Sequence, residues 1–231
     1  MNALLEEVRI HPRLDHEGTP AVNHAIAVKR LLRPLLTQVI TSNYLIGDAL
    51  GSFSSGGLRH FLPRFVFKRT QVKKPRFKIG IFAGIHGDEP AGILGLMDFV
   101  RELDEEPELG RHFELLLYPL CNPTGYVAGT RESASGRDLN REFWRDSTEP
   151  EVVLLEREIA ARKFDGIISL HSDDTSPGFY GYARGAVFAR QLLVPALAAA
   201  ERAGEGDALA LSAGEFPRES AVESFELNET Q

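Results

Sequence analysis

The chain holds a single cysteine, Cys121, so no intrachain disulfide can form and a reducing, cytoplasmic setting is the expectation. No apolar run approaches the ~18 residues a membrane-spanning helix needs. The start, MNALLEEVRI, lacks the basic region and continuous apolar stretch of a secretory signal. Positive charge is also scarce. With 26 Lys and Arg against 33 Asp and Glu, the net charge is -7 and the pI near 5.6, which argues against nucleic acid or an anionic membrane as a partner. Small molecules and peptides remain. There is no low-complexity stretch and no internal repeat. What is present is an ordinary globular composition, 43% hydrophobic and 26% charged, which excludes disorder. A chain of 231 residues can bury a substantial core as one domain, and a single domain over 1–231 is the expectation.

Periodicity then places the elements. Residues 19–39 carry apolar side chains three and four apart and read as an amphipathic helix, with Pro34 a point of bending. Between Asn43 and Lys68, YLIGDAL and FLPRFVF read as two strands around a turn over Gly51–Gly57, a hairpin at a sheet edge where Pro63 is tolerated. FKIGIFAGI reads as a buried strand that feeds a helix beginning in HGDEPAGILGLMDFVREL. FELLLYPLCNP is a second strand, ending at Asn122-Pro123, and a polar loop runs from it to Arg141. A helix over 149–163 follows, with the capping-box pattern Thr148-x-x-Glu151, and FDGIISLHS is a third buried strand. GFYGYARG suggests a short strand, AVFARQLLVPALAAAERAG a helix and AVESFELNE a last strand. Such alternation predicts an α/β fold, three layers α/β/α around a central mixed, mostly parallel sheet. Sites in such sheets gather at the C-terminal strand ends, where His86, the loop after Asn122 and His171 all fall.

His86 and Glu89, in His86-Gly87-Asp88-Glu89, stand at a spacing that zinc hydrolases use. An isolated H-x-x-E pair is a weak signal. Its setting strengthens it, because Gly84, Gly87 and Pro90 suit a sharp strand-to-helix turn and a buried strand end holds ligands stiffly. His171 would complete a set of two imidazoles and one carboxylate, leaving a coordination position open for water. Taken singly, His171 reads as a satisfied core histidine and Glu89 as a helix-start acid favoured by the dipole. Asp88 is expected to be structural or to support the ligands.

Taken in order, GIHGDE, NPTG, RESASGRDLNR, SLHS and SFELNE resemble the zinc carboxypeptidase family of carboxypeptidase A-like metallopeptidases, with its aspartoacylase, succinylglutamate desuccinylase and murein peptide amidase relatives. The resemblance covers residues 77–229. It implies zinc held by His86, Glu89 and His171, and hydrolysis of an amide bond next to a free carboxylate in a small peptide. It further implies that Asn140 and Arg141, with Arg137 as a neighbour, grip that carboxylate. Arg131 would polarise the scissile carbonyl, and Glu226 would act as general base in preference to Glu223 and Glu229. Guanidinium suits these tasks because it pairs a carboxylate through two parallel hydrogen bonds and stays charged.

The chain also departs from the pattern. No tyrosine lies between Ala183 and Gln231, where these peptidases carry a mobile one, and Tyr180 and Tyr182 follow His171 too closely. Arg218 loosely matches an arginine by which aspartoacylase relatives bind a second carboxylate. The chain ends where the peptidases continue into a last helix, and a murein peptide amidase fits its size best. The alternatives are N-acyl amino acid deacylation and a non-catalytic zinc- or peptide-binding protein.

Overall fold

The computed structural model describes residues 20–69, 77–172, 179–183, 189–203 and 208–212. It divides into two compact units, Met1–Ser172 and Asp173–Gln231. Among the described residues no helix is long and apolar enough to cross a membrane.

The first unit opens with helix α1 (Pro20–Thr41), whose Val28, Leu32, Leu35 and Leu36 are buried on one stripe. Pro34 does not end it, because the residue lies on the exposed side, where water can satisfy the backbone carbonyl that Pro34 leaves without a partner. Strands β1 (Leu45–Ser55) and β2 (Leu58–Phe67) form the expected hairpin. The turn is shorter than the sequence suggested. β1 runs on through Gly51 to Ser55, and only Gly56 and Gly57, with φ of 56° and 76°, reverse the chain in a turn whose twist matches the strands. Pro63 is accommodated because β2 pairs with its other neighbour only over Phe65–Phe67, so Pro63 owes no ladder donor on that side.

β3 (Phe77–Ala83), helix α2 (Pro90–Glu105), β4 (Phe113–Tyr118), the short helix α3 (Pro123–Ala128), helix α4 (Pro150–Arg162) and β5 (Gly166–Leu170) complete the unit. The sheet order is β1-β2-β4-β3-β5. The hairpin contributes the antiparallel pairings, and β4, β3 and β5 run parallel, as the strand-helix alternation requires. Side-chain alternation splits the core between two faces. Ile81, Ala83, Leu115 and Leu117 join Leu32 and Leu35 of α1 and Ile93, Leu96 and Val100 of α2. Phe82 and Tyr118 stack with ring centroids 4.4 Å apart, Phe164 meets Phe82 edge-on at 6.1 Å, and the Tyr118 hydroxyl donates to Glu158 of α4. The result is the three-layer α/β/α architecture. Each buried leucine or isoleucine contributes about 1.5–3 kcal/mol to it.

The capping box at α4 does not form. Glu149 is the N-cap and makes no side-chain cap bond, while Ser147 Oγ accepts from its N–H. Glu151 turns inward to Thr124 instead of back toward Thr148. In the second unit, β6 (Phe179–Ala183) pairs in parallel with β7 (Ala208–Ser212). A wide helical turn over Ala189–Leu193 leads into α5 (Val194–Ala203). The predicted last strand, with Glu223, Glu226 and Glu229, lies outside the described residues, as does Arg218.

Candidate metal centre

The turn between β3 and α2 places two of the predicted ligands. Its backbone lies so close to the start of α3 that a Cβ on Gly87 would come within 2.0 Å of the Gly125 carbonyl carbon, so only glycine fits. His86 is 2% exposed. Glu89 occupies the N-cap of α2, yet its side chain caps nothing and turns toward the strand ends. β5 delivers His171 immediately beyond Leu170.

These three side chains converge, and their ligand atoms all lie within 4.8 Å of one another. His86 Nδ1 is 2.6 Å from Glu89 Oε1, and His171 Nδ1 is 3.0 Å from Glu89 Oε2 and 3.2 Å from His86 Nδ1. Two donors held at about 2.1 Å by one tetrahedral ion stand roughly 3.4 Å apart, so the spacing suits a shared cation. The Ser172 N–H donates to Glu89 Oε2 at 3.0 Å and fixes the carboxylate. Ser169 Oγ lies 3.0 Å from His171 Nε2, on the side of the ring away from the cluster. Asp88, by contrast, is exposed.

Behind His86 stands a residue that the motifs did not single out. Asp138 Oδ1 lies 3.1 Å from His86 Nε2, and Asp138 Oδ2 accepts from Arg131 Nε at 3.1 Å. An ionised carboxylate only accepts, so His86 Nε2 carries the hydrogen of this bond, and Nδ1, on the side of Glu89 and His171, is the nitrogen that could ligate a cation. A carboxylate behind a ligating histidine orients the ring and raises its basicity. The sequence did carry the signal, since Asp138 opens DLNR, although Asn140 and Arg141 are the residues of that motif to which the family resemblance gives roles. Asp138 Oδ1 also accepts from Asn140 N, capping the turn Leu139–Arg141.

The electrostatics favour positive charge at this point. Burial alone would lower the His86 pKa, but hydrogen bonds to Asp138 and Glu89 outweigh it and leave the imidazole raised. Burial likewise opposes ionisation of Glu89, yet His171 and His86 hold its carboxyl down at about 2. Asp138 is held well below the usual carboxylate range against its burial, chiefly by His86 and Arg131. One guanidinium thus faces two carboxylates, while two imidazole nitrogens point at the same acceptor and at each other. A divalent cation satisfies all these lone pairs at once, and the donor set of two nitrogens and carboxylate oxygen is one zinc accepts.

Of the other predicted residues, Arg131 is brought in, its Nη1 donating to Glu89 Oε1 at 3.2 Å. Asn140 is buried just after Asp138, and the Arg141 side chain is exposed at the end of the same turn. Arg137 faces away, pairing with Glu142 at 3.1 Å and Glu149 at 3.6 Å.

With this geometry in view, the similarities to known proteins fall into one class. A model of the succinylglutamate desuccinylase/aspartoacylase catalytic domain matches residues 76–215. Murein peptide amidase A of Escherichia coli strain K12 is 43% identical over 63 residues, 27% of this chain and 24% of that protein. That match spans about a quarter of the relative's length. A provisionally assigned metallopeptidase from Shewanella amazonensis SB2B is 28% identical with a TM-score of 0.56, covering 69% of this chain and 60% of that one. A metallo-carboxypeptidase from Burkholderia cenocepacia, 20% identical, shares the fold with a TM-score of 0.67 over 85% of this chain and 55% of its own.

Proposed function

Since this chain belongs to the succinylglutamate desuccinylase/aspartoacylase catalytic-domain family, we propose that it is a zinc-dependent hydrolase of an amide bond next to a free carboxylate. The observation that carries the reading is the convergence of His86, Glu89 and His171 with Asp138 behind His86. Those three residues would hold the ion. When bound, zinc supplies Lewis acidity and lowers the pKa of water toward ~7.

The chain's own groups account for the rest. Asp138 keeps the His86 tautomer that presents Nδ1. Arg131, 41% exposed in its side chain and set beside Glu89, meets the negative charge that develops on the scissile carbonyl oxygen. Glu226 takes a proton from water and returns it to the leaving nitrogen. Asn140 and Arg141 receive the substrate carboxylate. Arg137, tied to Glu142 and Glu149, shapes the loop that carries them.

A small peptide with a free carboxylate is the substrate class, in keeping with the likeness to a murein peptide amidase. N-acyl amino acid deacylation is the second reading, favoured by the family model itself. Turnover of short peptides, murein peptides and N-acyl amino acids by the zinc-loaded protein separates the two. No turnover of any of them would sink both and leave a binding protein. Arg131→Ala should lower kcat about 10²- to 10³-fold with KM little changed, whereas Arg141→Ala should chiefly raise KM. Glu226→Gln should abolish turnover and retain zinc.

A further inference from the structure

The NPTG motif has no part in the chemistry above, yet its side chains are among the most enclosed in the molecule. Asn122 is 0% exposed. Its Oδ1 accepts from Gly125 N at 2.8 Å and from the Thr124 hydroxyl at 3.1 Å; its Nδ2 donates to the Ile85 carbonyl at 3.3 Å and the Arg131 carbonyl at 3.4 Å. Both donor hydrogens and both acceptor positions are in use, which settles the way the amide faces. The two carbonyls belong to different segments. Ile85 immediately precedes His86, and Arg131 begins the loop that ends in Asp138.

Thr124 extends the connection. Its Oγ lies 3.1 Å from Asn122 Oδ1, 3.1 Å from Glu151 Oε1 and 3.1 Å from the Ala134 N–H, which donates to it. A hydroxyl has one hydrogen and two acceptor positions. Asn122 Oδ1 can only accept, as can an ionised Glu151, and the one Thr124 hydrogen cannot serve both. With Glu151 ionised, one of these two contacts would be oxygen to oxygen with no hydrogen between them. A neutral Glu151 donates its own O–H to Thr124 and closes the chain. Its surroundings agree: Glu151 is 2% exposed, no cation pairs with it among the described residues, and burial, reinforced by Glu149, raises its pKa over the opposing hydrogen bonds.

We propose that neutral Glu151, Thr124 and Asn122 form a positioning chain that pins the Arg131–Asp138 loop against the turn carrying His86. Asn122 is the joint, and Glu151 sets the direction of the hydrogen bonds. Only the kinetic arm of the test rests on the role assigned to Arg131 above.

Amide hydrogen exchange by mass spectrometry tests the joint without any substrate. Asn122→Asp places a carboxylate against two carbonyls and should raise exchange across 130–138 by about tenfold, while β3 and β4 keep wild-type rates. Glu151→Gln, whose amide can donate where the acid did, should keep the loop protected, and Thr124→Val should not. Should Asn122→Asp fail to fold, Thr124→Val carries the same comparison. An unchanged loop, or a rise spread equally through β3 and β4, overturns the proposal. The infrared difference spectrum between wild type and Glu151→Gln near neutral pH should contain the carbonyl stretch of an un-ionised carboxyl, and its absence overturns the neutral acid. On whichever N-acyl amino acid or peptide is turned over, Asn122→Asp should lower kcat and leave KM, and added to Arg131→Ala should cost nothing further. Independent losses overturn the positioning role. If Arg131→Ala alone leaves kcat unchanged, the assignment of Arg131 falls and the exchange result still decides the chain.

Discussion

Two charged clusters of the first unit differ in how far their own groups satisfy one another. Arg64 on β2 donates to Asp48 from Nε at 2.8 Å and again from Nη2, and reaches Glu158 Oε1 at 2.6 Å. Glu158 also accepts from Tyr118 at 2.9 Å and Arg162 at 2.8 Å. Two guanidiniums meet two carboxylates and a phenol supplies one more donor. Burial works against Glu158 ionising, but Arg64, Tyr118 and Arg162 hold its pKa below the ordinary value. At the strand ends the balance differs. Among the described residues Arg131 is the one guanidinium that faces Glu89 and Asp138, and the His86 and His171 nitrogens both point at Glu89. A saturated network stiffens the fold and needs nothing from outside. The other gathers two imidazole nitrogens and a carboxylate at one point, the donor set proposed above to hold a cation.

The comparison can be broken most directly by removing the ligands. His86→Ala with Glu89→Ala should abolish zinc binding, read as metal content of the purified protein, with the sheet still folded by circular dichroism. Full zinc retention would mean the cluster is structural after all. At the other cluster Arg64→Met should cost roughly 1.5–3 kcal/mol of stability, because Asp48 loses its guanidinium and Glu158 keeps only Arg162 and Tyr118, while zinc content stays at the wild-type level. Loss of metal there would deny that the two clusters are independent.

Asp138→Asn sharpens the distinction, because it keeps the shape and removes the charge behind His86. Zinc affinity should weaken 10- to 100-fold in a chelator competition. The smallest effect concerns acid. Because the folded-state pKa of Glu158 is depressed, its contribution to stability is fully present above the unfolded value of about 4.3 and is lost as pH falls through the lower folded value. Metal-free protein should therefore lose stability below that pH, and Glu158→Gln should flatten this part of the profile.

Much of the scaffold was legible in the chain. The switch from an apolar run to helical spacing at His86, and the apolar run before His171, placed β3, α2 and β5 to within a few residues. Local signals failed where a tertiary partner outbid them. Gly51 read as turn because glycine usually breaks strands, but β2 pairs with it across the hairpin and β1 continues. Glu151 read as a capping acid, but Thr124, distant in sequence, takes its side chain. Asp138 went unremarked because nothing in DLNR says which of its polar side chains turns toward His86.

By itself the sequence determined which residues could bind a metal and that an α/β sheet would carry them to one edge, because periodicity and strand-end turns are local properties of the chain. The partners of those residues were decided only by the tertiary structure. Whether a carboxylate lies behind His86, whether Arg131 or Arg137 meets the cluster, and whether Glu151 caps a helix or holds a loop all depend on burial. In a buried site each polar group must find a particular donor or acceptor, and that choice rests on geometry that residue order does not contain.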